Sequence, residues 1–130
     1  MNKLYYKKGL LYTSIELKYQ RKSIIIEDVI IDTGASHTII ATEYLEEMDM
    51  PFLDDDELVK ASGYGGTVCY SVRKRLDEVR CGNLIIKDIK LDFGVIDPED
   101  RINGLIGLDF LMGVGSIIDL VDLKIYRKEI

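Results

Sequence analysis

From Ile24 to Ile31 the chain is apolar and β-branched, interrupted only by Glu27-Asp28, and it runs straight into Asp32-Thr33-Gly34-Ala35-Ser36. β-Branched residues suit a pleated, half-buried surface, and glycine supplies the backbone freedom that a tight turn uses. The stretch therefore predicts a strand that carries one carboxylate out of an apolar interior into a turn. Such a strand desolvates and fixes the Asp32 carboxylate, and Gly34 allows backbone amides to point back at it. The same residues also suit an aspartate that merely caps its turn.

The chain has 130 residues, enough for one domain around one core and too few for a two-lobed enzyme. Hydrophobic residues make up 47% and charged residues 31%, the balance of a packed globular protein. A formal net charge of −6 argues against nucleic acid or an anionic membrane as the main partner, since binding to phosphate draws on Lys and Arg. The run Arg73-Lys74-Arg75 is accordingly read as a solvated strand end. The stretch from Ile102 to Ile118 carries Asp109 and falls short of the roughly 20 apolar residues that span a bilayer, so no membrane insertion is expected. Lys3, Lys7 and Lys8 break up the apolar residues of the N-terminus, unlike the core of a signal peptide. The two cysteines, Cys69 and Cys81, lack CxxC spacing, and reduced thiols in a cytoplasmic protein are expected.

Strand signals dominate the rest. Leu10 to Lys18 alternates unevenly and reads as a half-buried strand, with a polar turn over Tyr19 to Ser23. Ala41 to Met48 reads as one short helix with Thr42 as N-cap, ended by Pro51. Asp54-Asp55-Asp56-Glu57 follows as an acidic, solvated loop without the glycine or the distal glutamate of a calcium loop. Glu57 to Tyr64 and Thr67 to Arg75 form a hairpin joined by Gly65-Gly66, and Leu76 to Arg80 and Leu84 to Ile96 are further strands. Ile102 to Ile106 is another short strand, Leu108 to Met112 a helical turn, and Ser116 to Leu120 with Leu123 to Arg127 a terminal hairpin. The expected class is all-β with one or two short helices. Val29 to Gly34 and Asn103 to Leu111 echo one another in outline, as strand, glycine and helix.

Three features in this order make the chain resemble the retropepsin family of aspartic proteases from Leu10 to Arg127. They are Ile31-Asp32-Thr33-Gly34-Ala35-Ser36, the glycine-rich Gly63-Tyr64-Gly65-Gly66, and Leu105-Ile106-Gly107 before a short helix. The resemblance implies a retropepsin-like acid protease fold over residues 1–130, forming one half of a homodimer. It implies that Asp32 is catalytic, that Thr33 forms a hydrogen-bonded grip between subunits, and that Gly34 donates backbone bonds to the carboxylate. Ala35, with Tyr64, Gly65 and Gly66 near a flap tip, would bind a polypeptide substrate, and Leu105-Ile106-Gly107 would act as scaffold. Ser36 stands where many viral members carry an aspartate.

The implied chemistry is hydrolysis without metal or cofactor. Two carboxylates about 3 Å apart cannot both ionise, so they share a proton; one activates water while the other protonates the scissile carbonyl. A chain with one Asp-Thr-Gly must obtain its second aspartate from another copy, across a two-fold axis. His37 is the only histidine, which disfavours a zinc site. Ser36 and His37 are neighbours whose side chains would diverge on an extended chain, which disfavours a serine hydrolase. Asp92-Phe93-Gly94 lacks the accompanying motifs of a kinase. A catalytically silent retropepsin-like module that dimerises or binds peptide is the alternative to a peptidase.

Overall fold

The computed structural model describes residues 2–62, 68–96 and 102–128. In chain order these form β1 (Asn2–Lys3), β2 (Tyr5–Lys7), β3 (Leu10–Tyr19), β4 (Lys22–Ile31), β5 (Ile39–Ala41), α1 (Tyr44–Glu47) and β6 (Glu57–Ser62). Then follow β7 (Val68–Cys81), β8 (Leu84–Gly94), β9 (Gly104–Ile106), α2 (Leu108–Gly113), β10 (Ser116–Asp119) and β11 (Lys124–Arg127). The expected class, all-β with one or two short helices, is what the chain adopts, with two helices among the described residues.

Eight strands lie in one sheet in the order β2-β3-β4-β9-β5-β8-β7-β6, and a further pairing of β3 with β7 closes six of them into a ring. A smaller sheet has the order β1-β11-β10, and its Ile125 joins the hydrophobic core with Ile118 packed against it. Alternation along β3 sets the register: Ile15, Leu17 and Tyr19 are buried, while Glu16 and Lys18 between them are half-exposed. The ring encloses Leu17, Ile26, Val29, Ile40, Leu76, Leu91, Phe93 and Ile106, and α2 adds Phe110 and Leu111 to the same core. Full burial of one such side chain stabilises the fold by about 1.5–3 kcal/mol. Between β7 and β8 Cys81 pairs with Leu84, and Gly82 takes a φ of +60°, as the first position of a two-residue hairpin turn of the primed kind requires.

Several expectations need correction. Residues 41–48 do not form one helix: Ala41 ends β5, which sequence patterning missed, and α1 has Glu43 rather than Thr42 at its N-cap. Three-residue strands such as β2 and β5 carry too little periodicity to stand out. Leu76 to Arg80 is not a separate strand but the continuation of β7, which is 14 residues long. Arg73-Lys74-Arg75 is not a solvated strand end, because it lies mid-strand with Lys74 only 3% exposed. Nor is the acidic loop wholly solvated: Asp56 pairs with Lys74, whose ammonium also donates to Pro51 O at 2.7 Å, and Glu57 pairs with Lys90 at 2.9 Å. The hairpin predicted around Gly65-Gly66 has its arms in β6 and β7, paired from Glu57↔Arg73 to Ser62↔Val68. Its tip, with Gly63, Tyr64, Gly65 and Gly66, lies outside the described residues.

Candidate active site

β4 delivers Asp32 as foreseen, but its position depends on a strand from the other end of the chain. β9 pairs with β4 in parallel, with Val29↔Gly104, Ile30↔Leu105 and Ile31↔Ile106 as partners. The ladder runs one step beyond the strand, because the Asp32 amide donates to Ile106 O at 2.9 Å. The turn then closes on itself: the Gly34 amide donates to Asp32 Oδ1 at 2.9 Å and the Ala35 amide to Asp32 O at 3.1 Å. A Cβ on Gly34 would stand 3.2 Å from that same Oδ1, so glycine gives the carboxylate its close approach to the backbone. Asp32 is half-buried, and Thr33 and Gly34 are exposed.

The turn is tied down from behind by α2. The Leu108 amide donates to Ala35 O at 2.8 Å and the Asp109 amide to Ser36 O at 3.2 Å. In return Asp109 accepts the Thr38 amide at 2.9 Å and the Thr38 hydroxyl at 2.7 Å. The buried Thr38 hydroxyl accepts in turn from the Gly107 amide at 3.0 Å. A Cβ on Gly107 would fall 2.8 Å from Ala35 O and His37 O, so only glycine lets the start of α2 come this near. Sequence reading expected Leu105-Ile106-Gly107 to pack beside the turn, as it does, but missed Asp109 and Thr38. An aspartate in the first turn of a helix looks like an ordinary dipole partner and gives no hint of its distant ligand.

Strand alternation separates two faces. Val29 joins the core and Ile31 packs against it, so Ile30 and Asp32 face the other way. Directly paired residues share a face, which puts Ile39, Leu105, Ile30 and Tyr12 in one row across β5, β9, β4 and β3 on the side of Asp32. This apolar wall beside a carboxylate was legible in principle from the parity of Ile30 and Asp32. Ala35, expected to bind substrate, is half-buried, and its carbonyl is engaged by α2.

Ser36 and His37 differ from expectation. Ser36 Oγ lies 3.1 Å from His37 Nδ1, because this segment bends instead of extending, and both side chains are exposed. Among the described residues no group of three or more His, Cys, Asp or Glu side chains is arranged to hold a metal ion. No helix among them is long and apolar enough to cross a membrane. Cys81 is a free, buried thiol, and burial pushes its pKa up even though Asn2 Nδ2 donates to its sulfur at 3.1 Å.

A closed strand ring, an aspartate lifted from a buried strand by a glycine turn, and a strand-helix unit bracing that turn define the retropepsin-like architecture. The aspartyl protease family model matches residues 26–110, more than half of the chain, and the protein belongs to that family. Among solved structures it is similar to a retropepsin-like aspartic protease from Rickettsia conorii, with 22% identity and a TM-score of 0.65 over 96% of this chain and 87% of that one. The retroviral protease-like domain of Ddi1 from Leishmania major matches at 16% identity and TM-score 0.62, over 95% of this chain and 92% of that domain. An inhibitor complex of EIAV protease matches at 16% identity and TM-score 0.61, over 89% of this chain and 98% of that one. A sequence search of curated proteins gave no match.

Proposed function

We propose that the protein is an aspartic endopeptidase whose active site forms when two copies bring their Asp32 carboxylates together. The observation that carries this reading is the Asp32 turn: a half-buried carboxylate, held at 2.9 Å by the Gly34 amide, beside an apolar wall. Two such groups about 3 Å apart hold one proton between them. The ionised aspartate takes a proton from water, the water attacks the peptide carbonyl, and the protonated aspartate donates to the carbonyl oxygen. The amine then leaves with a proton, and the dyad is restored. The half-buried Ile39 and Leu105, with the buried Ile30 beside them in the same row, would receive apolar substrate side chains next to the scissile bond. Tyr64, Gly65 and Gly66 would close over the peptide from the tip of the β6–β7 hairpin.

What supports a homodimer is the single Asp-Thr-Gly in the chain, together with the exposure of Thr33, whose hydroxyl would grip the partner's turn. β10 is the outer strand of the small sheet and has no strand beyond it among the described residues, so its edge is a further contact available to a second copy. We keep the cytoplasm as the protein's location, the expectation drawn from two cysteines without CxxC spacing. The test is peptide cleavage by wild type and Asp32→Asn, with the assembly state of both measured by sedimentation. We expect wild type to cleave members of a broad peptide library between mildly acidic and neutral pH. Asp32→Asn should dimerise and cleave nothing. A folded wild-type dimer that cleaves no peptide would instead make this a silent binding module.

A further inference from the structure

The row of side chains beside Asp32 does not stop at Tyr12. The β2–β3 hairpin pairs Tyr5 with Tyr12, so the row continues Ile30, Tyr12, Tyr5 onto a strand that ends in Lys7. Tyr12 and Ile30 are 8% and 7% exposed yet stand apart from the main core cluster, whereas Tyr5 is 62% exposed. A groove of about 400 Å³ opens here, lined by Tyr5, Tyr12 and Lys7 on one side and by Glu27 and Asp28 on the other. Its acidic side sits on fixed backbone: Asn103 Nδ2 donates to Glu27 O at 2.8 Å and the Asn103 amide to Asp28 O at 3.0 Å. The groove has two carboxylates against one ammonium, and that ammonium is drawn over the Tyr12 ring at 4.9 Å from its centroid.

We propose that this groove is a distal substrate subsite that takes an arginine side chain of the polypeptide being cleaved. The inference rests on the peptidase reading for the path of the peptide, and goes beyond it by naming a side chain and the residues that select it. Two strand spacings sideways and two residues along β4 put Tyr5 roughly 12 Å from Asp32. An extended peptide covers that distance in about three to four residues. A guanidinium stacks on an exposed tyrosine face through its planar cation, its aliphatic stem covers the Tyr12 edge, and its fork of donors matches a carboxylate at the far end. A glutamate there would meet Glu27 and Asp28, and a leucine would leave both carboxylates unanswered.

The test uses the full chain and two sets of peptides that differ only in Arg, Leu or Glu at the residue three to five positions from the scissile bond. One set is cleavable; the other carries a reduced, non-hydrolysable bond and a fluorophore for anisotropy. The expected result is tighter binding of the Arg peptide than the Leu peptide by about fivefold to tenfold, the sum of one exposed cation–π contact and one exposed ion pair. That ratio should collapse towards one in Tyr5→Ala and in Glu27→Gln/Asp28→Asn, and should shrink with added salt in wild type. Asparagine suits position 28 because Asp28 has a φ of +56°, which Asn also tolerates. Equal binding of Arg and Leu peptides to wild type, or an Arg preference that survives both variants, overturns the subsite. Cleavage of the first set decides the peptidase reading separately, since the binding measurement does not depend on turnover.

Discussion

Asp109 and Thr38 are 71 positions apart, and the Asp109 carboxylate takes bonds from the Thr38 amide, the Thr38 hydroxyl and the Phe110 amide. Thr38 is 1% exposed, so truncating Asp109 leaves its amide and hydroxyl without this partner in a place water does not reach. We expect Asp109→Ala to lose on the order of 2–4 kcal/mol of stability in urea denaturation, with Asp109→Asn losing less because one carbonyl oxygen still accepts. A loss below about 0.5 kcal/mol would mean that the brace contributes little. At this scale the sequence was half legible. Asp32, Thr33 and Gly34 could be read because their turn is made within a few residues of itself. Asp109 could not, since its partner is chosen by the chain path between them. Ser36 was misjudged for a related reason: extended geometry was assumed where the chain bends and brings its hydroxyl to His37.

The base of the β6–β7 hairpin is secured by charge pairs that strand patterning does not reveal. Arg73 pairs with Asp92 through two nitrogens, Lys90 with Glu57, and the buried Lys74 with Asp56. Burial alone would raise the pKa of Asp56, but the Lys74 hydrogen bond, the Leu53 amide and the Lys74 charge together hold it below the ordinary carboxylate value. A lowered folded-state pKa contributes stability that is complete above the unfolded value, near 4, and fades as pH falls through the folded one. Melting temperature measured from pH 6 downward should therefore drop less steeply in Asp56→Asn than in wild type, and Asp56→Asn should already be the less stable protein at pH 6. Parallel slopes for the two proteins would remove Asp56 from the account. Among elements, the long strands were legible because alternation over many residues survives local noise. β5 and β2 were not, since three residues give no period, and the Leu76 boundary was an error because β7 runs through its charged residues, Lys74 buried against Asp56 and Arg75 exposed but paired with Asp77 and Asp88. The faint echo between Val29 to Gly34 and Asn103 to Leu111 has a physical counterpart: β4 and β9 lie side by side in parallel.

For the molecule as a whole, the proposed dyad makes activity a property of pairs. Mixing wild type with a growing excess of Asp32→Asn should lower activity below that of the same wild type alone, because chains exchange into mixed dimers holding one aspartate and one asparagine. Unchanged activity across the titration, under conditions where exchange is confirmed, would mean that one Asp32 suffices. The closed ring matters for such a protein in another way. Because β3 also pairs with β7, the large sheet leaves just two described strands with an open side, β2 and β6. β2 is three residues long and ends in Lys7, and β6 carries Glu57 and Lys60. Short or charge-bearing borders discourage indiscriminate strand-to-strand growth into aggregates. For the proposed dimer this means that the borders of the ring would compete little with the surfaces outside it, through which two copies would meet.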